Sequence, residues 1–430
     1  MSSNYSRQPS NSAANQRQVL VSSIIGNVLE WYDYALYGYL APIISELFFP
    51  SENALTSLIN TFAVFALGSL SRPLGGLFLG HIGDRYGRQR LLILSAVLMA
   101  LPTFLIGLLP TYASAGILAP ILLCLLRLLQ GLSTGGEFVG SITFLAEQAP
   151  SSRQGFYSSF ANSGAMIGAG LGSIVIWVTT LLVPNEIMQA WGWRVPFLTG
   201  ILLGLYGVWL RMRLSDSQIY LELQSNDQVE AQPVREAVRR HWRQIFLTFG
   251  LNWVVSVGYY VTFVWYVTDM TKIIGLSYHT SLGIGSFGLI VGLIATPVLG
   301  SLSDRWGRRT VLTGAAILTA IATLPLLILA GAGTVAAASG VQFGLALLVS
   351  AFLGVLPAVF VSLFSSSVRC SGLAIGYNLA PAIFGGTAPL VATLLVKFSG
   401  WPPAPGIYLI LTAVIFMFLI RFIPENRQLA

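Results

Sequence analysis

The chain has 430 residues, of which 55% are apolar and only 9% are charged, with a net charge of +7. Soluble globular domains carry about 25% charged residues, and the mean hydropathy here is +0.74. This composition excludes a soluble domain and a disordered chain, and two Cys residues are too few for a disulfide scaffold. We therefore predict an all-α integral membrane protein.

Stretches without a charged residue mark the predicted spans. A transmembrane helix needs about 20 mostly apolar residues, and the stretches 91–126 and 310–368 are each long enough for two helices. Turn residues at Pro110 and around Gly331 divide these stretches. With the remaining apolar stretches, they predict about twelve transmembrane helices.

The order of polar and apolar stretches predicts five segments. These are a disordered tail, a six-helix half, a polar linker, a second six-helix half and a short tail, over residues 1–18, 19–210, 211–243, 244–423 and 424–430. The first tail has no signal-peptide pattern. Most of the 23 Lys and Arg residues fall on one side if both termini are cytoplasmic, as the positive-inside rule expects. The positive charge thus indicates topology and contact with anionic lipid, and it gives no support to nucleic-acid binding.

Polar residues share one face of the first predicted helix. At 100° per residue, Asn27, Glu30, Asp33, Tyr34 and Tyr37 lie within one arc. Carboxylates inside a membrane are costly and usually line a water-filled path or relay protons. We predict that Asp33 and Glu30 couple transport to protons and that Asn27, Tyr34 and Tyr37 line the substrate site. The alternative is that the carboxylates form ion pairs that gate or pack the helices.

A second polar stripe, on the fourth predicted helix, contains Arg127, Gln130, Thr134 and Glu137. Arg127 and Glu137 are ten residues apart, roughly 15 Å along a helix, so they cannot pair with each other. Arg127 is interpreted either as the partner of a substrate carboxylate, together with Gln130, or as the partner of Asp33. Glu137 is interpreted either as a proton-coupling residue or as part of a buried structural bond.

One loop occurs twice. The segment 80–88 (Gly-His-Ile-Gly-Asp-Arg-Tyr-Gly-Arg) recurs at 300–308 (Gly-Ser-Leu-Ser-Asp-Arg-Trp-Gly-Arg), after the second helix of each predicted half. The charged residues predict latches between helices at the cytoplasmic end. The second latch is predicted to have fewer charged contacts, because Leu363 stands where the first half has Glu147. The predicted gating residues are Asp84, Arg85, Arg88, Glu147, Arg153, Asp304, Arg305 and Arg308.

Aromatic residues crowd the seventh predicted helix. Aromatic faces can hold a quaternary ammonium group, so Tyr259 and Tyr260 are predicted to line the substrate cavity, together with Asn378 of the eleventh helix. Trp265 and Tyr266 lie nearer the helix end, and we expect them in an aromatic belt at the membrane surface.

The paired loops resemble the signature of the major facilitator superfamily. Three further segments, 26–38 (Gly-Asn-Val-Leu-Glu-Trp-Tyr-Asp-Tyr-Ala-Leu-Tyr-Gly), 127–137 and 192–197 (Gly-Trp-Arg-Val-Pro-Phe), resemble its metabolite:proton symporters, whose known members carry proline and betaine, citrate, 2-oxoglutarate or shikimate. The resemblance implies a substrate site near the midplane between two six-helix halves. Two departures concern helix breakers, since Val267 and Ser365 stand where the family usually has Pro.

These observations predict a proton-coupled symporter for a small polar metabolite, and not an enzyme. An organic acid is favoured over a proline- or betaine-type zwitterion, because Arg127 is taken to be the only basic residue deep in the bundle. No P-loop or His cluster indicates a cofactor or a metal. The expected protein works as a monomer in the inner (plasma) membrane. The alternatives are an exporter or facilitator of the same fold, or a transport-dead membrane sensor.

Overall fold

Lipid cannot satisfy backbone N–H and C=O groups, so apolar runs that cross a membrane fold as helices. The computed structural model describes residues 13–423, with the exception of 53, 214, 215 and 227, and the regular elements of this part of the chain are helical. The helices of the first half and the linker are α1 (Ala13–Phe48), α2 (Ala54–Tyr86), α3 (Arg88–Leu108), α4 (Tyr112–Ala115), α5 (Leu118–Gln148), α6 (Gln154–Leu182), α7 (Asn185–Ile187), α8 (Arg194–Arg211), α9 (Gln218–Ser225) and α10 (Pro233–Arg240). Those of the second half are α11 (Trp242–Tyr260), α12 (Tyr266–Lys272), α13 (Tyr278–Trp306), α14 (Arg308–Ala330), α15 (Val335–Ser362), α16 (Arg369–Ala380), α17 (Ala388–Ser399) and α18 (Pro405–Leu419).

The number of membrane-spanning helices agrees with the prediction. Among the described residues, eleven helical segments are long and apolar enough to cross a membrane. The remaining long helix, α1, has 36 residues, and its apolar sequence contains the polar residues Asn27, Glu30 and Asp33. Six of these twelve helices precede the linker and six follow it, which confirms an all-α membrane protein with two six-helix halves.

Helices pack both within each half and between the two halves. In the first half α1 packs on α6, α2 on α5 and α3 on α8, and in the second half α13 and α14 pack on α15. Between the halves, α6 packs on α13 and α15, while α2 packs on α16. We refer to the end of the bundle at which α8 passes into the linker as the linker end.

Two spans of the second half contain a π-helical turn. Residues Val261–Trp265 join α11 to α12, and residues Pro381–Gly385 join α16 to α17. Such turns occur often at functional sites. The first of them forms although Val267 replaces the expected Pro, so the change to π-helical hydrogen bonding does not need that residue.

The structure revises three details of the sequence analysis. Helix α1 begins at Ala13, so residues 13–18 of the predicted tail are helical, whereas 1–12 and 424–430 lie outside the described residues. Arg211, assigned to the linker, ends α8 with a buried side chain. The aromatic-belt prediction is wrong, because Trp265 and Tyr266 are buried and Trp265 Nε1 donates to Oγ1 of Thr393 at 3.2 Å.

Candidate functional site

Glu30 and Arg72 form an ion pair where the two halves meet. Glu30 Oε1 lies 3.7 Å from Arg72 Nη2, and the two side chains are 1% and 3% exposed. Neither carboxylate oxygen of Glu30 accepts a hydrogen bond from the described residues. Arg72 also reaches the second half, since its Nε lies 3.5 Å from Oδ1 of Asn378 on α16. Glu30 is therefore held by charge attraction alone, and its protonation would break no hydrogen bond.

Glycine contacts between α2 and α5 bring Arg72 to this position. A Cβ added to Gly131 would lie 1.8 Å from the carbonyl oxygen of Gly68, and one added to Gly135 would lie 2.1 Å from that of Arg72. No side chain fits at either position, so the two helices cross with their backbones in contact. Arg72 thus belongs to a rigidly packed part of the first half, while its guanidinium extends to the interface.

Asp33 lies in a different environment from Glu30, although the two share a helix face. Its Oδ1 accepts hydrogen bonds from Thr103 Oγ1 at 2.9 Å and from Gln130 Nε2 at 2.7 Å, and its Oδ2 accepts one from Arg127 Nη1 at 2.8 Å. The Arg127 guanidinium also lies over the Tyr37 ring, with Cζ 3.8 Å from the ring centroid. From the sequence, Arg127 is interpreted as the partner of either a substrate carboxylate or Asp33, and in the structure it pairs with Asp33.

Glu137 is bonded within the first half as well. Its two oxygens accept hydrogen bonds from the Arg211 guanidinium and from the Ser95 hydroxyl, and Arg211 Nη1 also donates to the Leu92 carbonyl at 2.6 Å. Of the two alternatives for Glu137, proton coupling or a buried structural bond, this arrangement matches the structural bond. Arg72 and Arg211 are buried in the bundle, so the premise that Arg127 is the only basic residue there is wrong.

Aromatic rings surround the Glu30–Arg72 pair. The Trp31 ring centroid lies 4.6 Å from that of Tyr259 across the interface and 5.7 Å from that of Tyr34. The Arg72 guanidinium is within electrostatic range of the hydroxyl groups of Tyr34, Tyr260 and Tyr377. We call Glu30, Trp31, Tyr34, Arg72, Tyr259, Tyr260, Tyr377 and Asn378 the interface site. The Arg72 cation of this site can bind a carboxylate. The aromatic faces and the Glu30 carboxylate can bind an ammonium group.

Besides Arg127, three of the residues predicted to bind substrate have other partners. Asn27 Nδ2 donates to Ser141 Oγ at 2.7 Å, and Tyr37 Oη donates to the Thr61 carbonyl at 3.0 Å. Gln130 bonds to Asp33, as described above. These side chains join helices inside the first half, whereas Tyr34, Tyr259, Tyr260 and Asn378 lie at the interface site.

The first repeated loop ties α2 to α16 at the linker end. Asp84 accepts hydrogen bonds from the N–H groups of Cys370 and Ser371, at 3.1 and 2.7 Å, in the first turn of α16. A carboxylate is favourable there, because the first N–H groups of a helix lack intrahelical acceptors. Arg88 lies 3.3 Å from Asp84 and 3.5 Å from Glu147, so it joins both carboxylates.

Glu147 of α5 also pairs with an arginine of the second half. Arg369 is the first residue of α16, and its Nη1 lies 2.8 Å from Glu147 Oε1. Arg153, by contrast, is exposed on the surface. Arg88 Nη2 also donates to the Ser366 carbonyl at 2.8 Å. The first latch thus joins the halves through the ionic cluster Asp84–Arg88–Glu147–Arg369. Arg85 lies outside this cluster, exposed, with its Nη1 3.1 Å from the Ala231 carbonyl.

Part of the linker covers the first latch. Asp216 accepts hydrogen bonds from the N–H groups of Arg88 at 2.9 Å and Gln89 at 3.4 Å, at the start of α3. Gly87 has a φ of 109°, and a Cβ there would lie 2.1 Å from Asp216 Oδ2, so glycine is required in this turn. Burial raises the pKa of Asp216 above its ordinary value, while the backbone N–H groups act in the opposite direction.

The second repeated loop makes the equivalent contact with fewer charges. Asp304 accepts hydrogen bonds from the N–H groups of Gly155 and Phe156, at 2.8 and 2.9 Å, in the first turn of α6. Arg308 donates to Gln154 Oε1 at 2.9 Å and to the Ala358 carbonyl at 3.2 Å. Arg305 is exposed. Each loop thus caps a helix of the opposite half, and the second does so without a counterpart of Glu147.

Sequence reasoning missed the roles of Arg72 and Arg211. Arg72 follows an apolar stretch inside α2 and precedes Pro73, and Arg211 ends an apolar run that leads into a polar linker. The signal that could have found them is the burial of Glu30 and Glu137, because a buried carboxylate needs a cationic or hydrogen-bonding partner.

Comparison with known proteins agrees with this architecture. The family model described as Major Facilitator Superfamily matches residues 24–380 and 248–429. The solved structure of the proton:xylose symporter XylE bound to 6-bromo-6-deoxy-D-glucose has a TM-score of 0.82 at 16% sequence identity, over 97% of both chains. A partially occluded inward-open XylE from E. coli has a TM-score of 0.74 at 18% identity, over 96% of this chain and 99% of that one. These structures share the fold.

Curated relatives match over nearly the full chain. The glycine betaine/proline/ectoine/pipecolic acid transporter OusA of Dickeya dadantii is 33% identical over 96% of this chain and 84% of its own length. The proline/betaine transporter of Salmonella typhimurium is 34% identical, over 93% and 81% of the two chains. A putative proline/betaine transporter of Staphylococcus aureus is 36% identical, over 96% and 89%. The chain therefore belongs to the major facilitator superfamily, in the group of transporters that includes these proline and betaine carriers, and it is a multi-pass membrane protein and not an enzyme.

Proposed function

We propose that the protein imports a small zwitterionic solute of the proline or betaine type together with protons. Glu30 is the proton carrier and Arg72 binds the carboxylate of the solute. The observation that carries this proposal is the state of Glu30, a buried carboxylate that has one cation at 3.7 Å and no hydrogen bond from the described residues.

Of the three carboxylates predicted to couple protons, this assignment favours Glu30 over Asp33 and Glu137. Asp33 accepts three hydrogen bonds, and Glu137 is bonded to Arg211 and Ser95. A proton on either would have to displace several charge-assisted bonds. Glu30 can take up a proton while only the attraction to Arg72 is lost. Arg72 then becomes available to an anionic group.

The interface site favours a zwitterion over an organic acid. A carboxylate of the solute would pair with Arg72, and its ammonium group would lie among the faces of Trp31, Tyr34, Tyr259 and Tyr260. The sequence-based preference for an organic acid depended on Arg127, which is engaged by Asp33 at 2.8 Å. Relatives that carry proline, betaine or ectoine by their printed names support the same choice.

The linker end is proposed to face the cytoplasm, with both termini on that side of the inner (plasma) membrane. The arginine-rich helix α10 lies at this end, with Arg235, Arg239 and Arg240, as the positive-inside rule expects. Both latches lie there too, so in this conformation they hold the cytoplasmic end shut. All of these groups belong to one chain, so the proposal needs no second copy.

Uptake into proteoliposomes tests the function. Purified protein should accumulate labelled glycine betaine or proline when the outside is made acidic, and a protonophore should abolish the accumulation. Citrate and 2-oxoglutarate in excess should compete poorly. Equilibration without accumulation would favour a facilitator, accumulation driven by the opposite gradient an exporter, and binding without transport a sensor. Each of those results would contradict the proposal.

A further inference from the structure

Asn378 joins the two halves at the depth of the Glu30–Arg72 pair. Its side chain is fully buried on α16, and its Nδ2 donates to the carbonyl of Gly135 on α5 at 2.6 Å and to that of Ala374 at 2.8 Å. Its Oδ1 lies 3.5 Å from Arg72 Nε. One amide group therefore contacts the backbone of the opposite half and also the cation that pairs with Glu30.

The bond to Gly135 forms only while α16 lies against α2. A Cβ on Gly76 would lie 2.7 Å from Asn378 Nδ2, and a Cβ on Gly80 would lie 3.1 Å from Cα of Ser371. The absence of side chains at these positions of α2 lets α16 approach closely enough for the amide to reach across. Separation of α2 from α16 would break this bond.

The same separation would break the first latch. Asp84 holds the first turn of α16 through the N–H groups of Cys370 and Ser371, and Arg72 and Asp84 both belong to α2. Opening the cytoplasmic end moves the halves apart at this contact, so it has to release α16 at Asp84 and at Asn378. Of these two contacts, only the one at Asn378 involves Arg72, the partner of Glu30.

We propose that Asn378 is a positioning residue that makes cytoplasmic opening depend on the occupancy of the interface site; this inference rests on the proposed function. While Glu30 is ionised, Arg72 stays beside it and supports the docked amide. When Glu30 takes up a proton and the solute carboxylate draws Arg72 away, Asn378 Oδ1 loses its donor. A buried amide oxygen without a donor destabilises the docked arrangement. The loaded carrier therefore opens to the cytoplasm more readily than the empty, ionised one.

Cys370 provides a reporter of this opening. Its side chain is fully buried, and a Cβ on Gly83 of α2 would lie 3.2 Å from its Sγ, so α2 covers it. The rate of its alkylation by N-ethylmaleimide is measured in a Cys124→Ala background, since Cys124 is the second cysteine. Because the reagent reacts with the thiolate, variants are compared at the same pH, at acidic and alkaline values, with and without glycine betaine.

In the Cys124→Ala parent, betaine at acidic pH should accelerate alkylation at least about fivefold, the lower end of the usual coupling between two sites. In Asn378→Ala, alkylation should be fast in every condition, and betaine should accelerate it by less than about twofold. Asn378→Ser serves if the Ala variant folds poorly, because a serine hydroxyl can donate to the Ala374 carbonyl but cannot span the distance to Gly135.

Asn252→Ala is the matched control. Asn252 is another buried asparagine, 1% exposed, and its Nδ2 donates to the Tyr377 carbonyl at 2.9 Å within the second half. This variant should keep the acceleration by betaine. Parent-like acceleration in Asn378→Ala and Asn378→Ser would overturn the inference, and so would its loss in Asn252→Ala. Proton-independent accumulation by the parent would instead overturn the proposed function, so the two failures are distinguishable.

Discussion

Two buried ion pairs of the first half differ in how completely they are bonded. Glu137 and Arg211 meet inside the half, where the Ser95 hydroxyl and the Leu92 carbonyl provide further hydrogen bonds. Glu30 and Arg72 meet at the interface, where their charged atoms are 3.7 Å apart and the carboxylate accepts no hydrogen bond from the described residues. The first arrangement is that of a permanent structural bond. The second leaves both charges able to change partners, as a transport cycle requires.

The two latches at the linker end show a similar difference. Each places an aspartate at the first turn of a helix from the opposite half. Around Asp84, Arg88 and Arg369 contact Glu147, whereas Arg308 beside Asp304 contacts the neutral side chain of Gln154. The interface between α2 and α16 thus contains most of the charge, and we expect opening there to be the more sensitive to substitution.

The largest expected effect is on folding, from Glu137→Ala. This variant would leave the buried charge of Arg211 without its carboxylate, which typically costs about 3–5 kcal/mol. Glu30→Ala also leaves a buried arginine, Arg72, without its carboxylate, but it should cost less, because no hydrogen bond to Glu30 is lost. Thermal aggregation in detergent, followed by size-exclusion chromatography, compares the two. A smaller loss of stability in Glu137→Ala than in Glu30→Ala would contradict the distinction between the pairs.

The next largest effect is on substrate binding. Arg72→Lys keeps the positive charge but loses the planar guanidinium that binds a carboxylate with two parallel hydrogen bonds. We expect betaine to bind at least about tenfold more weakly, which corresponds to about 1.4 kcal/mol. Arg127→Lys is the matched variant and should change the affinity of the folded protein less. Calorimetric titration measures both, and the opposite ranking would return the substrate role to Arg127.

A smaller effect is expected from removal of the latch charges. Asp84→Asn replaces a carboxylate at a helix N-terminus, an interaction of about 0.3–1 kcal/mol at exposed sites and up to about 2 kcal/mol when partly buried. The maximal transport rate should change by a few-fold with little change in substrate affinity, because a latch shifts conformational populations. Asp304→Asn should have the weaker effect. A large loss of affinity in Asp84→Asn would indicate a role in substrate binding.

The smallest effect is expected at arginines that lie outside the latches. Arg153→Gln should leave the transport rate within about twofold of wild type, since surface substitutions are usually nearly neutral. Arg369→Gln, its control, removes the cation at 2.8 Å from Glu147 and should alter the rate more. Equal effects of the two substitutions would count against the Glu147–Arg369 pairing.

Much of the fold could be predicted from the sequence because membrane helices follow simple length and hydropathy rules. The repeated loops also indicated where latches form, since Asp84 and Asp304 occupy the same position in each half. The partners of the carboxylates were less predictable. They depend on how helices rotate against each other, which the pattern along a single helix does not determine.

Arg211 and Arg153 illustrate this limit. By sequence, both are basic residues at the end of an apolar helix and fit the positive-inside rule. In the structure Arg211 turns inward to Glu137, while Arg153 stays on the surface and Arg369 of the other half takes the position beside Glu147. Arg369 is 222 residues from Glu147 in the chain, so only the packing of the two halves brings them together.

Glu30→Gln provides the most direct test of the central claim, that Glu30 carries the coupled proton. In proteoliposomes with an acidic exterior, this variant should exchange external labelled betaine for internal betaine but should not accumulate it against a gradient. Asp33→Asn and Glu222→Gln, a substitution at an exposed residue of α9, are assayed beside it, the latter as the control that should behave as wild type. Full proton-driven accumulation by Glu30→Gln would contradict the account, most plainly if Asp33→Asn had lost accumulation and kept exchange.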